Sequence, residues 1–306
     1  KAKSLSPVYA FRLLYTTGSA IICFINGTIQ EVFEMERQVH AMYFSATGTT
    51  EKVVTAVADH IARTWNGTAA LRFDFTLPAA RQAVKAFGDG DLVIFGVPVY
   101  AGRVPNVLLN YLRTVEGGGA LAVPVVCYGN RNFDDSLVEL RDLLEADGFR
   151  TVAAGAFIGE HSFSTTLAAG RPDQADLELA ARFADGILEK LSKPLGEYIP
   201  IPVEGQIPYR PYYVPKDRNG NPVNILKDKP KVHDTCNDCG LCAKVCPMGS
   251  ISPENVREYT GICIKCGACV KKCPVHARYY DSYNYLYHKE ELELGFARRA
   301  EPALFF

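Results

Sequence analysis

Cysteines dominate the chemistry that this chain can perform. The sequence holds ten cysteines in 306 residues, and eight of them fall between Cys236 and Cys273. They form two runs of identical spacing, C-x2-C-x2-C-x3-C-P, so this segment is an internal duplication. A four-iron cubane takes three thiolates from one tight loop and a fourth from elsewhere in the chain, which is what this spacing offers. The pattern therefore predicts iron–sulfur clusters.

Zinc and disulfide bonds are the alternatives for the same cysteines. Structural zinc sites commonly use two CxxC pairs, whereas the third cysteine of each run comes too soon after the second for the usual zinc site. Disulfides need an oxidising compartment, and nothing in the sequence indicates one. Both alternatives stay open beside the leading prediction.

The two runs resemble a bacterial-type two-cluster ferredoxin over about 45 residues. The resemblance implies two [4Fe-4S] clusters, with the fourth cysteine of each run serving the cluster of the other run. The implied ligands are Cys236, Cys239, Cys242 and Cys273 for cluster one and Cys263, Cys266, Cys269 and Cys246 for cluster two. This crossing ties the two halves of the segment together.

Short apolar runs alternate with amphipathic segments ahead of the cysteines, a pattern typical of βαβ units around a parallel sheet. Residues 92–95 and 123–126 are continuously apolar, as expected of strands covered by helices on both faces. The predicted strands are residues 39–45, 70–75, 91–97, 123–128 and 151–158. The predicted helices lie near residues 50–64, 79–87, 105–114, 135–147 and 173–192. The sequence thus predicts a doubly wound α/β domain with a five-stranded parallel sheet.

A hydroxyl-rich loop follows the first predicted strand and leads into a helix, and it contains Ser45, Thr47, Gly48, Thr49 and Thr50. Hydroxyls and backbone amides at such a turn can bind an anion at the positive end of the helix. The loop lacks the second glycine and the lysine of a nucleoside triphosphate loop, which favours a phosphate monoester. A simple helix cap without a ligand is the alternative.

Two further loops are predicted to lie beside the first, at the carboxyl edge of the sheet where ligands bind. Their candidate residues are Pro98, Val99, Tyr100 and Gly102 after the third strand and Tyr128, Gly129, Asn130 and Phe133 after the fourth. Aromatic faces and glycine-rich backbone suit a flavin ring. His161, after the fifth strand, is predicted to approach or gate that ring, with a solvated or capping histidine as the alternative.

Residues 43–50 read YFSATGTT, and with the loops above they resemble a flavodoxin over about residues 38–192. The resemblance implies FMN, with its phosphate on residues 45–50. Because a ferredoxin repeat follows, the chain also resembles the anaerobe family of fused flavodoxin/ferredoxin proteins known as EFR-type ferredoxins. Arg103 and Arg131 make the flavin loops more basic than those of a typical free flavodoxin.

The organisation that follows from these patterns is a flavodoxin-like α/β domain and a small α+β two-cluster ferredoxin domain. The predicted segments are an N-terminal extension (1–37), the FMN-binding domain (38–192), a linker with eight of the eighteen prolines (193–230), the ferredoxin domain (231–282) and a tail (283–306) with a short helix at 289–299. The apolar stretch 8–25 contains Arg12 and is a poor signal peptide or membrane span. We therefore expect a cytoplasmic protein.

Charge and composition narrow the function. The 33 basic and 34 acidic residues, with 48% hydrophobic residues, exclude disorder and a polybasic surface, so we expect neither a nucleic-acid nor a membrane partner. The leading prediction is electron transfer between FMN and two [4Fe-4S] clusters, to or from a redox partner protein. The alternatives are an FMN-dependent reductase of a small acceptor and a ferredoxin on a flavin-free scaffold. No catalytic residue and no oligomeric state is predicted.

Overall fold

The computed structural model describes residues 15–17, 20–25, 28–33, 38–194 and 196–306. The chain divides into two compact units, residues 1–37 and residues 38–306. The smaller unit contains three antiparallel strands paired in chain order, β1 (Tyr15–Thr17), β2 (Ala20–Ile25) and β3 (Thr28–Phe33).

One mixed sheet dominates the larger unit. The strands of this unit are β4 (Gln38–Tyr43), β5 (Leu71–Asp74), β6 (Asp91–Pro98), β7 (Leu121–Tyr128), β8 (Arg150–Thr151), β9 (Ala154–Ile158), β10 (Lys231–Val232), β11 (Arg278–Tyr279) and β12 (Ala303–Phe305). The sheet follows the path β12-β9-β7-β6-β4-β5, with β8 beside β7, and β10 and β11 form a separate antiparallel pair. Only β12 runs antiparallel to its neighbour in the main sheet.

The strand order identifies the fold. Counted along the chain, the five main parallel strands β4, β5, β6, β7 and β9 are arranged 2-1-3-4-5. This is the flavodoxin-like version of the doubly wound sheet, and it places the ligand crevice at the carboxyl ends of the first and third strands. The predicted fold class is confirmed, and the predicted strands lie within a few residues of the observed ones. The tail strand β12 was not predicted.

Helices cover both faces of the sheet. They are α1 (Thr49–Asn66), α2 (Leu109–Leu112), α3 (Ser136–Ala146), α4 (Gln174–Leu191), α5 (Leu241–Lys244), α6 (Ala268–Lys271) and α7 (Tyr283–Gly295), with 3-10 turns at Pro78–Arg81 and Asn106–Leu108. Helices α1 and α4 enclose one apolar core, and α2 and α3 enclose the other. Contact with α1 is so close at β6 that a Cβ on Gly96 would lie 2.2 Å from Val54 Cγ2. Strand β7 is buried over its whole length, which explains its continuously apolar sequence.

Two predicted helices are wrong in extent. The helix expected at 79–87 is only the 3-10 turn, because the chain beyond it pairs with another loop: the Phe87 amide donates to Glu116 O and the Glu116 amide to Lys85 O. The tail helix expected at 289–299 is α7, which begins and ends earlier. It ends because the carbonyls of Phe296 and Arg298 turn toward the sheet, where the Asn130 side chain binds them.

The proline-rich segment 193–230 lies against the α/β part of the unit. Tyr209 donates its hydroxyl to Asp142 at 2.6 Å, and Tyr212 donates its hydroxyl to Val104 O at 2.8 Å. Ile201 is buried in the core that α3 covers. None of the helices in the described part of the chain is long and apolar enough to cross a membrane.

Candidate functional site

The first predicted loop wraps the N-terminus of α1. Ser45 Oγ accepts a hydrogen bond from the Glu51 amide at 3.0 Å. Gly48 precedes the helix with φ 93°, and a Cβ at this position would meet nothing within 4 Å. Half-buried Thr47 and Thr49 flank it, so the loop borders open space in front of the positive end of an 18-residue helix. A small anion suits this position.

Thr50 lies differently from the other hydroxyl residues of this loop. It is buried, its methyl group lies near Gly96, and its hydroxyl interacts with the buried thiol of Cys127. The side chain therefore faces the core between α1 and the sheet, and only the backbone of Thr50 remains to serve a ligand.

The second loop is a tight turn in which the backbones of Tyr100 and Arg103 exchange hydrogen bonds of 3.0 and 3.1 Å. Ala101 (φ 52°) and Gly102 (φ 79°) both have left-handed backbones, as a type I′ turn requires. A Cβ on Gly102 would lie 2.5 Å from the Asp134 carboxylate, so glycine also lets the second and third loops pack together.

The third loop is held by the tail of the chain. Asn130 (φ 70°) donates through Nδ2 to the carbonyls of Phe296 and Arg298, both at 2.6 Å, and its Oδ1 accepts from the Ala300 amide at 3.2 Å. Tyr128 and Phe133 are buried with ring centroids 5.7 Å apart. The side-chain amide predicted to bind a flavin thus binds the tail, and the backbone of the loop is what remains for a ligand.

His161 packs on the third loop from the side. A Cβ on Gly129 would lie 2.3 Å from its Cδ2, and its Nδ1 accepts from the Phe163 amide at 3.1 Å. Burial, followed by the nearby His288 and Lys271, lowers the pKa of His161 to about 4. The ring is therefore neutral at pH 7 and forms a wall of the loop cluster rather than a solvated histidine.

The cysteine runs fold as a duplicated pair of loops, each followed by a short helix. Gly240 and Gly267 start α5 and α6 with left-handed φ values of 71° and 75°. The Ser250 amide donates to Cys246 Sγ and the Ala277 amide donates to Cys273 Sγ, both at 3.3 Å. These amide-to-sulfur bonds are of the kind that stabilises cluster thiolates.

One cavity collects all four cysteines assigned to cluster two, Cys246, Cys263, Cys266 and Cys269, from both runs. Among the described residues, no three His, Cys, Asp or Glu side chains converge closely enough to hold a single metal ion. Burial raises the pKa of the Cys266 and Cys269 thiols to about 12, so it is metal binding that would make them thiolates.

Residues 218–278 match the family described as the 4Fe-4S dicluster domain. This part of the chain is therefore an iron–sulfur domain, called the dicluster domain below. No curated protein matches the chain.

Several solved structures are similar to about half of the chain. A short-chain flavodoxin associated with a non-canonical PDU bacterial microcompartment is 16% identical, with a TM-score of 0.36, over 50% of this chain and 97% of its own. The flavodoxin of Streptococcus pneumonia TIGR4 is 16% identical, with a TM-score of 0.34, over 49% and 97%. An NADH:FMN oxidoreductase in its apo form is 17% identical, with a TM-score of 0.35, over 55% and 97%.

The dicluster domain docks on the carboxyl edge of the sheet. Cys266 and Ala268 are buried in the same hydrophobic core as Phe95, and Val99 and Tyr100 pack against that core. Burial raises the pKa of the Tyr100 phenol, and the neighbouring Cys266 and Cys263 raise it further. The cysteines of cluster two therefore face the second predicted flavin loop.

Polar contacts fix this docking. Lys271 forms an ion pair with Glu160 and donates to Ser164 O at 2.7 Å. Arg81 donates to Pro247 O at 2.6 Å. Lys244, the counterpart of Lys271 in the first run, is exposed. Both copies of the duplicated loop thus contact the α/β part, the first at Pro247 and the second through the Lys271 ion pair.

An aromatic row that sequence reasoning missed continues from this interface. His161 lies 5.3 Å from Phe163, Phe163 lies 4.6 Å from Tyr285, and Tyr285 stacks on Tyr280 at 3.8 Å between ring centroids. The Tyr280 hydroxyl lies 4.0 Å from Cys263 Sγ. The aromatic composition of the tail was the only signal available for it.

Arg103 and Arg131, expected to make the flavin loops basic, are neutralised. Arg103 pairs with the Glu139 carboxylate at 2.6 Å and lies between the rings of Tyr209 and Tyr212. Arg131 pairs with Asp134. Both arginines fasten neighbouring segments rather than offering free positive charge.

Proposed function

We propose that this protein transfers electrons between FMN and two [4Fe-4S] clusters and relays them to or from a redox partner protein, as a fused flavodoxin/ferredoxin of the EFR type. The observation that carries the proposal is that the buried Cys266 of cluster two shares a core with Tyr100 at the carboxyl edge of the sheet. The two candidate cofactor sites therefore adjoin within one folded unit.

The loop residues suit FMN. The backbone amides before α1, with the hydroxyls of Thr47 and Thr49, would hold the phosphate, and the loops that contain Tyr100 and Gly129 would flank the ring. Bound FMN would supply a carrier that takes up two electrons and releases them singly. The residues of the chain contribute position, a low-dielectric surround and hydrogen-bond donors.

The arrangement supports a carrier more than a reductase of a small acceptor. A reductase needs an open crevice beside the ring, whereas the loops here are covered by the dicluster domain at Gly267, by the proline-rich segment at Tyr213 and by the tail at Ala300. Within the dicluster domain, Cys239 of cluster one is exposed. We propose this surface as the place where the partner protein exchanges electrons.

The iron, sulfide and flavin contents test the cofactor set. Protein purified without oxygen should contain about eight iron, eight sulfide and one FMN per chain. Full clusters without flavin would support the flavin-free scaffold, and zinc in place of iron would overturn the proposal.

The phosphate loop is tested by a matched pair of variants at Gly48. Asp and Asn both tolerate a left-handed backbone and both cap helices, so Gly48→Asp and Gly48→Asn should fold alike. The carboxylate repels a phosphate, so Gly48→Asp should bind FMN at least about tenfold more weakly than Gly48→Asn, or about 1.4 kcal/mol. Fluorescence titration of the apoprotein measures this, with iron content unchanged in both. Equal affinity for FMN would place the phosphate elsewhere.

A further inference from the structure

The duplicated loops place different residues at equivalent positions around the two cluster sites. Each position of the first run has its counterpart 27 residues later, and the amide-to-sulfur bonds described above are the same in both copies. The residue that follows these amides breaks the symmetry. It is Ile251 in the first copy and Arg278 in the second.

Arg278 is a buried cation in direct contact with a cluster-one ligand. Its side chain is 4% exposed, and its Nη2 donates to Cys242 Sγ at 3.2 Å and to Val256 O. Its Nη1 donates to the Tyr259 hydroxyl at 2.8 Å, and its Nε has no hydrogen-bond partner among the described residues. Since the oxygen acceptors are neutral, Cys242 Sγ would be the anionic partner of the guanidinium once cluster one is bound.

Cluster two receives no such donor at the equivalent place. Ile251 is 3% exposed and packs in one apolar cluster with Cys269, which is the counterpart of Cys242. Where one site has a charge-assisted hydrogen bond to sulfur, the other has hydrocarbon.

The other charged groups near the cysteines act less directly. Buried Lys265 lies beside cluster two, but its Nζ donates to the carbonyls of Leu226 and Cys263, at 2.9 and 3.4 Å, and to no sulfur. Asp238 lies near Cys236 of cluster one, but it is exposed and paired with Arg257 at 2.5 Å. The charge of Arg278 also acts on Cys269 of cluster two, but its hydrogen bond goes to Cys242 of cluster one, and this bond is the difference between the two sites.

We infer that Arg278 raises the reduction potential of cluster one and so makes it the cluster that holds the electron. The inference rests on the proposed function, because it requires both clusters. Reduction adds one negative charge to a cluster, and a cation hydrogen-bonded to its ligand sulfur stabilises the reduced form more than the oxidised form. Transfer from cluster two to cluster one removes one electron from cluster two, adds one electron to cluster one and moves no proton. Arg278 thereby directs electrons from the docked side of the domain to the exposed side.

The test is an anaerobic redox titration of the two clusters by electron paramagnetic resonance in the full chain. Arg278→Gln and Arg278→Met remove the charge, and Lys265→Met removes another buried cation beside the cysteines as a matched control. The arginine variants should lower one midpoint so that the reduced-to-oxidised ratio of that cluster at fixed potential falls at least about tenfold, or about 59 mV. The control should change that midpoint less.

Each outcome decides between the alternatives. Arginine variants with full iron and unshifted midpoints, or a larger effect on that midpoint from Lys265→Met, would overturn the inference. If neither arginine variant retains iron, the test is electron–nuclear double resonance of wild-type protein labelled with nitrogen-15 arginine. Coupling between a guanidinium nitrogen and the electron spin of a reduced cluster would support the inference, and the absence of this coupling would refute it. A wild-type protein without iron would instead refute the proposed function itself.

Discussion

Replacing Gly267 with alanine should push the dicluster domain away from the loops of the α/β sheet. A Cβ at Gly267 would lie 2.5 Å from the backbone oxygen of Ser162, in the loop after β9. Its counterpart Gly240 has almost the same backbone, but a Cβ there would meet nothing within 4 Å. Gly240→Ala is therefore a control that carries the same backbone strain without the collision.

The magnitude follows from this pair. A left-handed alanine costs roughly 1–2 kcal/mol, and this cost is common to both variants. At Gly267 the backbone must also retreat by almost 1 Å to restore ordinary contact, and crowding of this kind costs about 1–3 kcal/mol. For a unit of this size, the melting temperature of Gly267→Ala should fall about 3–9 °C below that of Gly240→Ala.

The assay is thermal unfolding without oxygen, followed by cluster absorbance, with iron and flavin measured for each variant. A second readout is the rate at which the clusters are reduced after a light pulse reduces the flavin, which should fall only in Gly267→Ala. Equal melting temperatures and equal rates in the two variants would refute the docked arrangement.

Two further predictions concern the third loop and its neighbour. Asn130→Asp keeps a residue that tolerates φ 70° but loses the hydrogen-bond donor to two tail carbonyls. The free energy of unfolding should fall by about 2–3 kcal/mol, and amides 296–305 should exchange hydrogen faster. Unchanged hydrogen exchange in the tail would contradict this contact. Burial lowers the pKa of His161 to about 4. As the pH falls, His161 therefore binds a proton in the unfolded chain before it does so in the folded chain. The free energy of unfolding should decline by up to about 3 kcal/mol between about pH 6.5 and 4. Denaturant unfolding over this range should show that the stability of His161→Gln depends less on pH than that of the wild type. An equal dependence on pH in the two proteins would rule out His161 as the cause of the decline.

Local sequence patterns were enough to predict most of the fold. Strands β6 and β7 are continuous apolar runs because helices cover both their faces, and α1 and α4 follow a clear amphipathic period, so each could be read without knowledge of its partners. The cysteine spacing is similarly local, since three ligands of each predicted cluster lie within seven residues.

The parts that could not be predicted depend on distant partners. Residues 79–87 have helical composition, but the helix stops at the 3-10 turn because residues 85–87 form hydrogen bonds with Glu116. Asn130 looked like a flavin ligand because it follows a strand in a glycine loop, yet its partners lie more than 160 residues further along the chain. A single sequence carries no signal for such pairs.

Strand β12 gives the unit an unusual topology of its own. Ala303–Phe305 pairs with β9 of the main sheet, and Phe306 packs on Phe183 of α4, whereas the cysteine runs come before them in the chain. The iron–sulfur domain is therefore an insertion, because the chain segments before and after it both pack against the α/β part. A fragment cut after residue 192 would leave β9 as an open edge with unpaired N–H and C=O groups, prone to pairing with other chains. The α/β half and the iron–sulfur half thus form one compact unit, and a single cut in the chain cannot divide it into two intact parts.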